Sequence, residues 1–137
     1  MNADAIVSLL LETTGMFVSI VLTPASRAEL LRRVPPVHPD VKADHVTLAF
    51  DPDPGTLKYY QGMVGKRVRV PVTAVAADAK GQAVLVGADS QNEYPHITIS
   101  VADGVDAVYS NELLATGGWD HLHVFTLEGD VVIAPLT

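Results

Sequence analysis

Two short segments of the chain carry the same pair of reactive side chains. One is His45-Val46-Thr47-Leu48-Ala49-Phe50. The other, 51 positions on, is His96-Ile97-Thr98-Ile99-Ser100-Val101. Alternate residues of a strand share a face. His45 and Thr47 are therefore predicted to point one way while Val46, Leu48 and Phe50 point into a core. His96, Thr98 and Ser100 are predicted to oppose Ile97, Ile99 and Val101 in the same manner. An ordinary half-exposed strand mixes Lys, Glu and Gln on its polar face; here each strand offers an imidazole and a hydroxyl. Histidine takes or gives a proton near neutral pH. Two imidazoles on opposite sides of one phosphorus can divide an in-line displacement, one deprotonating the attacking oxygen and the other protonating the leaving oxygen. Threonine hydroxyls can donate to the non-bridging oxygens, where charge builds up. This chemistry uses side chains alone and needs neither metal nor cofactor. The plain alternative is two half-buried strands whose His and Thr satisfy each other; a matched second copy in a matched apolar setting favours a site.

The paired segments resemble the His-x-Thr motifs of the two-histidine (2H) phosphoesterase superfamily, which includes cyclic nucleotide phosphodiesterases and the so-called 2′–5′ RNA ligases. The nearest likeness is to the cyclic phosphodiesterase domain of plant and fungal tRNA ligases. It rests on Val34-Pro35-Pro36…Asp44-His45-Val46-Thr47-Leu48 and on Pro95-His96-Ile97-Thr98-Ile99…Gly104-Val105…Ser110-Asn111-Glu112-Leu113-Leu114. It extends over roughly residue 16 to the end, with only the motifs specific. It implies an α+β fold of two lobes of antiparallel sheet with helices outside, related by a pseudo-two-fold axis, and a cleft holding both motifs. It also implies metal-free opening of a 2′,3′-cyclic phosphate on a nucleotide or RNA end. His45 and His96 would be the acid–base pair, and Thr47 and Thr98 the phosphate binders. The chain is short for that superfamily. A rival reading is a non-catalytic module of the same fold that binds a nucleotide or RNA end.

Other residues invite weaker readings. His121-Leu122-His123 puts two imidazoles on one strand face, a spacing that can hold zinc or copper. No third ligand can be named, so an exposed edge strand is the better account. His38, in a Pro-rich loop, reads as a turn residue. Arg67 and Arg69 share a polar face that either binds a second phosphate or is simply solvated. Tyr59, Tyr60 and Tyr94 could stack a base, but packing is the simpler role. Glycine-rich phosphate loops, nucleotide-binding fingerprints and a Ser-His-Asp order are absent.

The elements that must position these groups can be read in outline. A helix is predicted over residues 3–12, closed by Gly15, and a buried strand over 16–22. Ser26 and Glu29 form a capping box opening a helix that Pro35-Pro36 ends. Strands follow over 44–50 and 96–101. A short helix over 56–64 is closed by Gly65. A half-exposed strand over 66–75 is followed by its hairpin partner over 82–87. Ser110 or Asn111 caps a helical turn to Leu114, and a last hairpin turns at Gly129-Asp130. Runs of strands with a few helices make an α+β domain.

At 137 residues this is one domain, spanning 1–137. Hydrophobic residues at 48% and charged residues at 18% exclude a disordered chain. No cysteine is present, which excludes a disulfide scaffold, a thiolate metal site and a Cys nucleophile and fits a cytoplasmic setting. The apolar stretch over 5–21 is broken by Glu12, Thr13, Thr14 and Gly15, so no membrane span is expected, and no basic residue precedes Arg27 as a secretory signal requires. The net charge is −7, and all nine basic residues lie between Arg27 and Lys80. A long nucleic-acid footprint needs many cations and is not expected; the resemblance implies a small nucleotide or a short RNA end as partner.

Overall fold

The computed structural model describes residues 13–136; the helix predicted over 3–12 lies outside them. The apolar, β-branched runs become seven strands, and three helices lie among the described residues. In chain order these are β1 (Met16–Leu22), α1 (Pro24–Arg33), β2 (Asp40–Val41), β3 (His45–Phe50), α2 (Pro54–Gln61), β4 (Arg67–Ala77), β5 (Gly81–Val86), β6 (His96–Val101), α3 (Tyr109–Ala115) and β7 (Asp120–Pro135). The fold is α+β. The strands form one continuous antiparallel sheet in the order β2-β6-β5-β4-β7-β1-β3, rather than two separate sheets. Setting aside the two-residue β2, each His-x-Thr strand is the outer member of a set of three: β6-β5-β4 on one side and β3-β1-β7 on the other.

The sheet curls, and its two flanks meet. After β2 pairs with β6, Lys42 N–H donates to Ile99 C=O at 2.9 Å and Ala43 N–H to Thr98 C=O at 2.8 Å. The buried Ala43 then takes a left-handed φ of 52°, a conformation that costs a non-glycine residue about 1 kcal/mol. That turn swings the chain off β6 and straight into His45. The second motif strand thus holds the segment that delivers the first.

Both motif strands carry a bulge at the same place. On β3, Thr47 pairs with Ser19 and Ala49 with Val18, leaving Leu48 as the extra residue. On β6, Thr98 pairs with Ala83 and Ser100 with Gln82, leaving Ile99 extra. A bulge reverses the alternation beyond it. Hence Phe50, predicted to face the core with Val46 and Leu48, is 71% exposed on the other side. Ser100, predicted to lie beside Thr98, is buried and donates to Gln82 Oε1 at 2.7 Å.

Two more expectations are corrected. The helix over 24–33 starts earlier than the capping box implied: Thr23 is its N-cap, accepting from Ser26 N–H, with Pro24 in the first turn. Ser26 Oγ accepts from Glu128 N–H instead, and Glu29 pairs with Arg32 and Arg33 on the exposed face. The final hairpin is a single 16-residue strand. Its first part pairs with β4 and its last part with β1, both partners flanking Gly129. Gly129 is there for close approach rather than for a turn: a Cβ would lie 2.5 Å from Ile20 Cγ2 and 2.7 Å from Val21 O.

One main core is built from β1, β3, β4, β5, β6 and β7 residues such as Val18, Leu48, Val70, Val84, Ile97 and Leu127, together with Leu30 of α1 and Tyr60 of α2. A smaller cluster seats α3 through Leu113 and Leu114 against Ala76 and Ala83.

Candidate active site

His45, Thr47, His96 and Thr98 all line one cavity of about 270 Å³, with Phe17, Phe50, Asn92, Ala107, Val108 and Asn111 around them. The four motif residues come together because both stretches alternate with period two up to their bulges, and because residues 40–43 tie β3 to β6.

The imidazoles are oriented through their Nδ1 atoms. His45 Nδ1 lies 2.7 Å from Asp44 Oδ1, and His96 Nδ1 lies 2.7 Å from the Tyr94 carbonyl oxygen. A carboxylate and a carbonyl only accept, so each Nδ1 carries the proton and each Nε2 is the nitrogen left for chemistry. Phe17 meets the His45 ring edge-on, with centroids 5.6 Å apart. Burial pushes the His96 pKa below its ordinary 6.5; the Tyr94 carbonyl opposes this, and the nearby His45 adds to it. His96 is therefore a neutral ring at neutral pH, as a proton acceptor must be. The Asp44 carboxyl is held below its ordinary 3.8, the hydrogen bond from His45 being the largest cause.

The two threonines are held differently. The Thr98 hydroxyl lies 2.8 Å from Ser110 Oγ, and Ser110 is fully buried at the start of α3. The Thr47 carbonyl accepts from Ser90 Oγ at 2.8 Å, while Gln91 N–H donates to the Leu48 carbonyl at 2.8 Å. The loop that makes these contacts continues to Asn92 at the cavity. It is anchored from α2: Tyr60 hydroxyl donates to Asp89 C=O at 2.8 Å, and Tyr59 hydroxyl to the Asp89 carboxylate. Tyr59 and Tyr60 thus hold a loop, and Tyr94 packs against Trp119.

The remaining candidates lie elsewhere. His38 fastens its loop, its Nε2 donating to Asp78 C=O at 2.8 Å. Arg67 is engaged by Asp130 at 2.8 Å and Glu128 at 3.5 Å, so acidic partners already occupy it. Arg69 is exposed outside the cavity lining. His121 and His123 are exposed on β7, and among the described residues no three His, Cys, Asp or Glu side chains gather as a metal site.

The sequence reasoning missed Asp44, Ser110, Asn92, Asn111, Phe17, Phe50 and Val108. Asp44 has no role in the motif pattern, and Ser110 or Asn111, expected as the helix cap, makes none: the N-cap is Val108 with no side-chain cap bond. Phe50 was assigned to the wrong face because a bulge leaves no mark in the period.

No family model and no curated protein sequence matches the chain. Seven chains among solved structures match it in fold. One is a crystal structure of a fungal RNA kinase, with a TM-score of 0.62 at 18% identity, over 93% of this chain and 46% of that one. At that identity the likeness is one of fold, and the chain spans about half the length of the fungal protein. No helix among the described residues is long and apolar enough to cross a membrane.

Proposed function

We propose that the chain is a phosphodiesterase that hydrolyses a 2′,3′-cyclic phosphate on a nucleotide or a short RNA end, with His45 and His96 as the acid–base pair and Thr47 and Thr98 binding the phosphoryl oxygens. The observation that carries the reading is that both His-x-Thr pairs, far apart in sequence, line one cavity with each ring fixed through Nδ1. Two imidazoles supply both proton transfers of a displacement at phosphorus, so the reaction as drawn asks for no metal. Among the described residues no Lys or Arg lines the cavity, which suits one phosphodiester better than a polyphosphate. The fold likeness to an enzyme named for RNA adds weight to an RNA-end or nucleotide substrate. Kinase activity itself is not carried over, because this sequence has no glycine-rich phosphate loop.

The test is turnover per folded molecule in four variants. His45→Ala and His96→Ala should each lose about 10²–10⁴-fold, the usual contribution of a general acid or base. The double variant should lose less than the product of the two, since a concerted pair is already broken. Thr47→Ala and Thr98→Ala should each cost about 1–3 kcal/mol of transition-state stabilisation, the worth of a hydrogen bond to a charged group. Full activity per folded molecule in either histidine variant contradicts the mechanism.

A further inference from the structure

The two rings differ in what holds them. The acceptor on His45 is a carboxylate, an anion, on the solvent side of the cavity; the acceptor on His96 is a neutral peptide carbonyl, and His96 itself is the more buried ring. An imidazolium next to a carboxylate has its charge met, whereas one desolvated beside a neutral carbonyl does not. We propose that Asp44 is a positioning residue that gives the pair its direction: it holds His45 as the proton donor to the leaving oxygen and leaves His96 as the acceptor from water. This rests on the hydrolase reading above.

The step is balanced. Water loses a proton to His96 Nε2 as its oxygen bonds to phosphorus. The bond from phosphorus to one ribose oxygen breaks, its electron pair stays on that oxygen, and His45 Nε2–H supplies the proton. Exchange with solvent then resets both rings.

The surroundings favour the same direction. From α1, Arg27 lies near Asp44 and helps keep its carboxyl ionised, its guanidinium donating to the Lys42 carbonyl at 3.2 Å. Lys42 itself is paired with Asp40 at 3.2 Å. From β6 the titratable neighbour is His96, and β1 contributes the uncharged Phe17.

Asp44→Asn removes the charge and keeps an acceptor; Asp44→Ala removes both. The pH profile of kcat/KM on a nucleoside 2′,3′-cyclic phosphate reports the acid and base of the free enzyme. In Asp44→Asn, which removes the opposite charge beside the proposed proton donor, the basic limb should move down, with the acidic limb unmoved. Movement of the acidic limb alone, or of neither limb, overturns the proposal. A second readout needs no substrate. Long-range proton–nitrogen spectra of the neutral rings should show His45 with its proton on Nδ1 in the wild type and on Nε2 in Asp44→Ala, while His96 is unchanged. An unchanged His45 tautomer in Asp44→Ala overturns the proposal even in an active enzyme. A wild type that opens no cyclic phosphate contradicts the hydrolase reading instead, so the two failures are told apart.

Discussion

In the proposed mechanism His96 accepts a proton and must be neutral beforehand, and burial favours that neutral form. The same burial makes the fold sensitive to acid. The ring's pKa is lowered in the folded protein, mainly by desolvation, while the unfolded chain keeps the ordinary 6.5. Below that value the unfolded state binds a proton that the folded state resists, so stability rises with pH through this window. The contribution is complete above about pH 6.5 and is lost as pH falls through the lowered folded value. Thermal melting between pH 7.5 and 5 should therefore show a falling midpoint that flattens in His96→Gln. An identical acid slope in both proteins would contradict the desolvated-ring account. At this scale the sequence was most informative about the two histidines and two threonines, because imidazole and hydroxyl two apart make a short-range pattern. Asp44 and Ser110 were illegible for the opposite reason: each acts through a partner whose approach only the fold decides.

Among the elements, the matched bulges after Thr47 and Thr98 matter most to the site. Each lets a strand keep its His and Thr on the cavity while the next residues, Ala49 and Ser100, turn into the interior. Period-two reasoning assigned residues correctly up to the bulge and failed beyond it, as at Phe50. The same reasoning read Gly129-Asp130 as a turn, since glycine followed by aspartate between apolar runs is a hairpin signal. Here glycine serves a crossing instead: β7 runs straight on from β4 to β1, with β1 backbone where a side chain would go. Gly129→Ala should therefore destabilise the protein by about 3 kcal/mol or more through forced displacement of β1. Gly118→Ala, whose Cβ would have its nearest neighbour at 3.9 Å, should be near neutral. Equal melting points for the two variants would contradict the close crossing.

The whole molecule places its chemistry where the curled sheet brings its flanks together, with β7 joining the two sets of three strands. An α+β domain rich in strands was legible from the spacing of apolar runs and turn residues. A single continuous sheet was not, because β7 resembles two strands until its partners are known. Charge acts at this scale too. With a net charge of −7 and no basic residue after Lys80, the molecule offers little to a long phosphate chain; in the proposed mechanism its neutral, hydrogen-bonding cavity takes one phosphoryl group. The most direct measurement is phosphorus NMR of nucleoside 2′,3′-cyclic phosphates and cyclic-phosphate-ended oligonucleotides incubated with the protein in excess EDTA. The cyclic phosphate signal should be replaced by that of a single phosphomonoester, at either the 2′ or the 3′ position, at a rate the chelator leaves unchanged. A persistent cyclic phosphate signal, or turnover that EDTA abolishes and a divalent metal restores, would contradict the paired-histidine account.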